Sequence, residues 1–415
     1  MSGPNVATLA WRNLWRNRRR TLLTLGSIVF GVFLAVVFTA MQDRNWKDMI
    51  DLAARLGGGH VSLQHPEYLD KPTLTRTVVR GETLEAALDG EARRIQHAVD
   101  RVIGPTMLAT AGETFSAAFI AFDPEAEDET TLSILEALDE GSALEPGDRN
   151  GVILGHRLAS NLGMELGDKV VYTLTDKDGE IVSGLARLRG TLRTNAPTVD
   201  GGFCLLPIDT VRDLLGYGED EATLVAVFLE DQRRSAGVAG RLGRELGETA
   251  AAVPWNTSQP QLAAFIALKV GGAVVMEILI AILVAAGIFN TMFVSVMERL
   301  REFGIMLAIG WSPGRLFRMI MMESAWLAVL GLAGAFLITL GPYLYLSSTG
   351  LDMTAIYGGT VEVAGVGLDP VLKVGIFPRN AVLIGLFAVL ATIASGIYPA
   401  WRAGRVQPVE TIKVV

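Results

Sequence analysis

Four long apolar segments limit what this chain can fold into more than any other feature of its sequence. Each has 20 to 25 residues and no charged side chain; they are Thr21–Met41, Ile278–Met297, Ser324–Ser348 and Ala381–Trp401. A helix of about 20 residues, rising about 1.5 Å per residue, covers the roughly 30 Å hydrocarbon core of a bilayer. The sequence therefore predicts a membrane protein with four transmembrane α-helices.

The charges are distributed unevenly along the chain. Residues 42–267 contain 36 of the 44 acidic and 21 of the 36 basic residues, so this stretch has a formal charge of −15 and the remainder +7. Nucleic-acid binding needs clustered Lys and Arg, so this charge argues against a nucleic-acid partner. Arginines flank every predicted inner end, and the positive-inside rule therefore predicts cytoplasmic N- and C-termini.

The N-terminal 20 residues predict an amphipathic helix in the membrane interface. They contain five arginines and no acidic residue, with Trp11 and Trp15 between them. Arginines toward lipid headgroups and tryptophans toward the acyl chains are typical of interfacial helices that contact membrane lipids. Phe38-Thr39-Ala40 does not supply a small-x-small cleavage site, so we expect the first segment to be an uncleaved anchor.

The roughly 200 residues between the first and second segments predict a large extracytoplasmic α+β domain. Strands are predicted at His60–Gln64, Phe115–Phe122 and Gly151–Gly155, helical periodicity at Leu84–Val102, and a hairpin from Val170–Thr175 and Ile181–Leu188. Glu125, Glu127, Asp128 and Glu129 are expected to form a solvated loop and not a metal site. The four scattered histidines are expected to be ordinary polar surface. Gly57-Gly58-Gly59 predicts a helix stop or a hinge before the first strand.

The helices on either side of this domain are predicted to extend beyond the bilayer as a stalk. Apolar residues continue at helical spacing to Leu56, and Lys269 and Glu277 precede the second segment. A charge at the bilayer centre costs about 2.5–3.5 kcal/mol, so these two side chains are better placed outside it.

The predicted organisation assigns every residue to a part. The parts are an interfacial helix (1–20), the first span with its stalk extension (21–56), the extracytoplasmic domain (57–260), a stalk extension with the second span (261–297), a cytoplasmic coupling helix (298–312), the third span (313–348), an extracytoplasmic loop (349–380), the fourth span (381–401) and a cytoplasmic tail (402–415).

The turn after the second span, residues 298–312, combines charged and apolar residues. The apolar residues recur at mixed helical spacings, which favours a short helix with one buried face. Gly310 is placed to end that helix, and Ser312 and Pro313 are placed to cap and begin the next. The turn is either a plain connection between two spans or a lever on which a cytoplasmic partner acts.

The residues of this turn resemble the coupling-helix motif of FtsX-like, MacB-type ABC transporter permeases. The motif has Glu-Arg, then Glu-Ile-Gly, then Ala-Ile-Gly and a small residue before Ser. The matching residues are Glu298, Arg299, Glu302, Gly304, Ile305, Ala308, Ile309, Gly310 and Ser312, while Phe303, Leu307 and Trp311 depart from the usual residues. Residues 152–170, 204–216 and 398–410 resemble further motifs of the same permeases in the same order.

The resemblance implies a permease subunit of mechanotransmission type in the inner membrane, similar to the lipoprotein-releasing LolC/LolE-like subunits. It implies that a separate cytoplasmic ABC ATPase dimer, which binds ATP and Mg²⁺, contacts Glu298, Arg299, Glu302, Gly304, Ile305, Ala308, Gly310 and Ser312. A second permease copy or a homologous permease is also implied, with a periplasmic lipoprotein carrier or adaptor as a further option. The implied activity is extraction or export of a lipoprotein, a lipid-like molecule or another periplasmic substrate. The alternative is an FtsX-like transducer that moves no substrate and activates a cell-wall hydrolase.

The sequence offers no catalytic, metal-binding or cofactor-binding constellation of its own. It has no Gly-x-x-x-x-Gly-Lys-Ser/Thr, His-Glu-x-x-His or Gly-x-Ser-x-Gly motif. Asp176 and Asp178 lie two apart, but the rest of a calcium loop is missing. Away from their ends the four spans lack ionisable residues, which makes an ion-coupled transporter a poor fit. We therefore expect a chain that is not itself an enzyme.

Overall fold

The computed structural model describes residues 6–194, 196–354, 361–363, 366–368 and 371–405. The chain forms two compact units. The first contains Met1–Asn45, Leu268–Asp352 and Val371–Val415, and the second contains Trp46–Ala267 and Met353–Pro370.

The α-helices of the described residues include four of 27 residues or more. In chain order they are α1 (Val6–Leu14), α2 (Arg18–Leu56), α3 (Glu82–Gly90), α4 (His156–Asn161), α5 (Pro197–Gly202), α6 (Ile208–Leu215), α7 (Ser235–Leu246), α8 (Trp255–Ser258), α9 (Pro260–Glu298), α10 (Leu300–Ala308), α11 (Pro313–Ser348) and α12 (Pro378–Gly404). Short 3-10 turns lie at Trp15–Asn17, Ser133–Ala137 and Gln232–Arg234.

Four helical stretches are long and apolar enough to cross a membrane, among the residues that the structure describes. They are Val6–Leu56, Pro260–Glu298, Pro313–Ser348 and Pro378–Gly404, and each contains one of the predicted apolar segments. The predicted helical continuity to Leu56 is confirmed, because α2 runs for 39 residues without a break. At about 1.5 Å per residue this is a rod of roughly 58 Å. That its outer part forms a stalk beyond the bilayer stays a prediction.

In the first unit, α1 packs against α11. The ring centroids of Trp11 and Trp326 lie 5.0 Å apart in an edge-to-face arrangement, and Ala10 is fully buried. The interhelical core also contains Ile28, Ile320 and other aliphatic side chains of α2, α9 and α11. The N-terminal helix is therefore held by protein contacts, in addition to any contact that it makes with lipid headgroups.

The second unit is built around a ten-stranded sheet. Its strands are β1 (Val61–Gln64), β3 (Ile95–Ala109), β4 (Thr114–Phe122), β5 (Leu138–Gly141), β6 (Gly151–Gly155), β7 (Lys169–Thr175), β8 (Ile181–Leu192), β9 (Phe203–Pro207), β11 (Leu224–Leu229) and β12 (Ala251–Pro254), and β2 (Val78–Val79) pairs with β10 (Glu221–Ala222) outside it. The spatial order is β12-β1-β11-β3-β4-β9-β6-β8-β5, and β7 pairs with both β3 and β8.

Small strands also lie in the predicted extracytoplasmic loop. β13 (Leu351–Asp352) pairs with β16 (Val371–Leu372), and β14 (Val361–Val363) pairs with β15 (Val366–Leu368). The end of the C-terminal motif, residues 406–410, lies outside the described residues.

Several predicted elements of the domain are confirmed. β4 and β6 match the predicted strands, and α4 follows β6 directly. β7 and β8 form the predicted antiparallel hairpin. In its loop the Oδ1 atom of Asp176 accepts hydrogen bonds of 2.9 Å from the backbone N–H groups of Asp178 and Glu180, so this carboxylate stabilises the turn.

The helical reading of Leu84–Val102 is wrong in its second half. α3 ends at Gly90, and β3 begins at Ile95. The first residues of β3 pair with β11 across an irregularity between Phe228 and Leu229, so burial does not alternate there as in a regular strand. Apolar spacing of three and four residues consequently appears within a strand.

Two predictions of solvated side chains are also wrong. Glu127 is fully buried in an ion pair with Arg101. His60 is 5% exposed, lies 2.9 Å from Oδ1 of Asp51, and accepts a hydrogen bond at Nδ1 from the backbone N–H of Leu229. Both side chains are buried because other elements of the second unit fold over them.

Candidate functional site

The turn between α9 and α11 contains the short helix α10, and the predicted helix end at Gly310 is confirmed. α10 ends at Ala308, and Gly310 follows it with a left-handed φ of +98°. The N–H groups of Gly310 and Trp311 donate to the carbonyl oxygens of Leu307 at 3.1 Å and Met306 at 3.0 Å. This is the Schellman pattern that satisfies the last carbonyl groups of a helix.

The next helix begins with the predicted cap. The Oγ atom of Ser312 accepts a hydrogen bond of 3.3 Å from the backbone N–H of Arg315, and Pro313 occupies the first helical position. Gly310 and Ser312 together fix a tight connection between α10 and α11.

α10 has one buried face and one exposed face. Phe303 is fully buried and Gly304 is buried beside it, within the core of the first unit. On the other face Arg301 is exposed, and the apolar side chains of Ile305 and Ile309 are 47% and 72% exposed. Exposed aliphatic side chains on a short helix between two apolar spans suit contact with another protein.

Two arginines that precede the first span pair with the acidic residues of the turn. The Nη2 atom of Arg16 donates to both carboxylate oxygens of Glu302, at 2.5 and 2.7 Å. Nη1 of Arg20 donates to Oε2 of Glu298 at 2.7 Å. Partly exposed pairs of this kind contribute about 0.2–1 kcal/mol each, so they orient the turn more than they stabilise the fold.

Two neighbouring arginines lower the pKa of the Glu302 carboxyl. Partial burial would raise the pKa of its carboxyl, but the hydrogen bond from Arg16 and the positive charges of Arg16 and Arg299 outweigh it, so the pKa is lowered. The charge of Glu302 is therefore present at neutral pH and is used within the first unit.

A buried ion pair joins the turn to α11. Nη1 of Arg299 donates to both carboxylate oxygens of Glu323 at 3.0 and 3.1 Å, and both side chains are less than a tenth exposed. Asn13 of α1 donates to the same carboxylate at 3.1 Å. The guanidinium carbon of Arg299 lies 5.0 Å from the ring centroid of Phe303. This cluster ties α1, α10 and α11 together.

The structure thus divides the predicted coupling residues into two groups. The charged residues and the buried glycine face the chain's own helices; they are Glu298, Arg299, Glu302 and Gly304. The remaining predicted residues lie on the exposed surface of the turn; they are Ile305, Ala308, Gly310 and Ser312.

Four side chains outside the turn hold it in place, and the sequence pattern does not identify them in this role. The sequence pattern assigns Arg16 and Arg20 only to lipid headgroups. It singles out neither Asn13 nor Glu323, which directly precedes the third apolar segment at Ser324. An acidic residue at the border of an apolar segment is a usable signal, since such residues are costly unless paired.

A candidate metal-ion site is not found in the described part of the chain. Within residues 6–194, 196–354, 361–363, 366–368 and 371–405, three or more His, Cys, Asp or Glu side chains do not gather in a metal-binding geometry. The arrangement of the turn suits mechanical contact with a protein partner.

Comparison with known proteins agrees with the motifs. The model of the FtsX-like permease C-terminal region matches residues 274–408, which include the turn, and the model of the MacB-like periplasmic core domain matches residues 21–245. The second match covers 225 of the 415 residues, more than half of the chain.

Similar curated proteins are ABC transporter components. The lipoprotein-releasing system transmembrane protein LolC of Xylella fastidiosa is 26% identical over 69% of this chain and 70% of its own length. The uncharacterized ABC transporter permease MJ1507 of Methanocaldococcus jannaschii is 23% identical over 100% of this chain and 98% of its own length. The pyoverdine export ATP-binding/permease protein PvdT of Pseudomonas putida is 22% identical over 97% of this chain and 58% of its own length.

The family matches cover both the apolar helices and the α+β domain. The permease motif lies on a turn with one face packed against the chain's own helices and one face exposed. The chain is an ABC transporter permease and belongs to the FtsX-like, MacB-type permease family.

Proposed function

We propose that this chain is the permease subunit of a mechanotransmission ABC transporter. A separate cytoplasmic ATPase dimer binds ATP and Mg²⁺, docks on α10, and its closure moves the helices that continue toward the extracytoplasmic domain. The permease works in the inner membrane with a second copy of itself or with a homologue, and both chain termini lie in the cytoplasm. The four long helices cross the bilayer, and the α+β domain lies in the periplasm.

The observation that carries this proposal is that α10 has one face packed against the chain's own helices and one exposed apolar face. Its inner side is tied through Glu302 to the 3-10 turn between α1 and α2, and through Arg299 and Glu323 to α11, so a displacement of α10 reaches both. Its outer face presents Ile305 and Ile309, whose burial against a partner stabilises the contact by about 1.5–3 kcal/mol per side chain. A plain connection between two spans would not need a buried ion pair.

The cargo that we favour is a lipoprotein or another lipid-bearing molecule taken from the periplasmic side. The similarity to LolC supports this class, since LolC is named as a transmembrane protein of a lipoprotein-releasing system. A carrier or adaptor in the periplasm would then receive the cargo. The PvdT relative is named for pyoverdine export, so export of a small molecule is the competing outcome of a transport assay.

The test of the ATPase contact is Ile309→Asp in the full-length chain. We expect the variant to bind its ATPase roughly tenfold more weakly or worse, because about 1.4 kcal/mol of lost burial corresponds to tenfold in Kd. Copurification and the ATP hydrolysis rate of the reconstituted complex measure this. The thermal unfolding temperature is expected to stay unchanged because Ile309 is 72% exposed.

The matched control is Ile181→Asp, the same substitution at a residue of β8 that is 77% exposed. This control is expected to copurify with the ATPase as wild type does. Equal ATPase binding and hydrolysis in the two variants would show that α10 is not the docking surface.

A further inference from the structure

A fully buried arginine lies where α2 meets the sheet of the second unit. Arg101 of β3 and Glu127 are both 0% exposed at their side chains and form an ion pair. Nε of Arg101 donates to the two carboxylate oxygens of Glu127 at 3.0 and 3.2 Å, and Nη2 donates to the same carboxylate and to the carbonyl oxygen of Thr131 at 2.7 Å. A buried arginine with this many charge-assisted bonds is held in one orientation.

The remaining donor of Arg101 binds the end of α2. Nη1 donates to the carbonyl oxygen of Arg55 at 3.2 Å and to the carbonyl oxygen of Gly57. The last carbonyl groups of a helix lack partners within it and carry the negative end of its dipole. Arg101 therefore caps α2 from within the sheet.

The helix end is also fixed by its surroundings. Nη1 of Arg55 donates to the carbonyl oxygen of Glu129 at 3.0 Å and to Glu136 at 2.6 Å. Ala54 is fully buried against β3 and β11. His60 bridges Asp51 of α2 and the backbone of β11, as described above.

The three glycines after α2, Gly57–Gly59, do not form a flexible hinge. Gly59 has a φ of +75°, and a Cβ atom there would lie 2.7 Å from both the backbone N and O atoms of Val227. The N–H of Gly59 donates to the carbonyl oxygen of Ala54 at 3.0 Å, and the N–H of His60 donates to that of Val227 at 2.9 Å. The glycines thus permit close packing and not free rotation.

We propose that Arg101 is a positioning residue that locks α2 to the sheet, so that residues 46–56 of α2 and the sheet move as one body. The role rests on the proposed function, because a helix can drive a domain only if the junction between them does not bend. Glu127 holds the guanidinium in place, and Arg101 itself holds the helix carbonyls.

The test measures the distance between spin labels on Asp48→Cys in α2 and Glu230→Cys after β11, in the full-length chain. Both positions are exposed, whereas Cys204 is fully buried and burial raises the pKa of its thiol to about 12, so it does not take up the label. We expect one narrow distance in wild type, unchanged when the complex with its ATPase is trapped with ATP and vanadate.

The decisive variant combines Arg101→Met with Glu127→Leu. It leaves no unpaired buried charge, and such apolar replacements usually preserve folding. We expect the single narrow distance to be lost and replaced by a broad distribution. Arg101→Lys is the second variant, since an ammonium lacks the guanidinium fork, and it is expected to broaden the distribution as well. The matched control is Arg241→Met with Glu91→Leu. It removes the ion pair between α7 and the residue that follows α3, and it should leave the distance narrow.

Each result decides the proposal. A merely stabilising role would lower the unfolding temperature of the variants and leave their distance narrow, which would overturn it. A wild-type distance that is broad, or that changes with nucleotide, would overturn it too. Because the width of the distribution is first measured in the chain without its ATPase, loss of ATPase docking with a narrow distance would reject the proposed function and not the lock.

Discussion

Two buried arginines differ in how completely their donors are paired. Every nitrogen of the Arg101 guanidinium donates to a protein oxygen, whereas Nη2 of Arg299 is buried without a hydrogen-bond partner among the described residues. An unsatisfied buried donor costs about 1–3 kcal/mol, so the Arg299–Glu323 pair is the less stabilising of the two. The less stabilising ion pair therefore lies at the turn on which the proposed ATPase partner acts.

Removing one partner of the Arg299–Glu323 pair should be strongly destabilising. Glu323→Leu leaves the buried charge of Arg299 uncompensated, and we expect a loss of about 3–5 kcal/mol in the free energy of unfolding. Denaturant unfolding of the full-length protein in detergent measures it. The double change with Arg299→Met should recover most of the loss, because neither charge then remains.

Glu298→Gln serves as the comparison, since its pair with Arg20 is exposed at the carboxylate and is expected to contribute less than about 1 kcal/mol. A Glu323→Leu protein as stable as the Glu298→Gln protein would contradict a buried ion pair at this position.

At the scale of elements, the junction between α2 and β1 depends on one glycine. Gly59 combines a left-handed backbone with close contact to the backbone of Val227, whereas Gly163, after α4, has a φ of +62° and open space around it. The two glycines therefore separate the conformational cost of a side chain from its steric cost.

Gly59→Ala should destabilise the protein more than Gly163→Ala. The left-handed conformation costs an alanine roughly 1–2 kcal/mol at either position, and the overlap with Val227 adds to it only at Gly59. The thermal unfolding temperatures of the two full-length variants compare them directly. Equal shifts would mean that the strand next to Gly59 can move away, which would also weaken the case for a rigid junction.

At the scale of the whole molecule, the proposed function requires a definite topology. The charge of residues 42–267 is −15 and that of the remainder is +7, which agrees with a cytoplasmic side rich in arginine. The side of the membrane that each part faces can be measured directly in cells.

Accessibility labelling provides that measurement. Arg301→Cys and Asp176→Cys, each in the full-length chain, should react with a membrane-impermeant maleimide from opposite sides of the inner membrane. In spheroplasts we expect Asp176→Cys to be labelled and Arg301→Cys to be labelled only after the membrane is opened. Labelling of both from the same side would reject the proposed topology and the force relay built on it.

Features that depend on local patterns could be predicted from the sequence. Uncharged runs of 20 residues or more predict the apolar helices, and Gly310 and Ser312 predict the end and start of neighbouring helices, because length, hydropathy and capping act within a few residues. Motif order along the chain was enough to identify the family. Three features became visible only in the folded chain: Glu127 is buried, β3 is a strand, and Glu302 pairs with Arg16, 286 residues away. Burial and ion pairing depend on which distant elements come together, and no local pattern of charge or spacing records that.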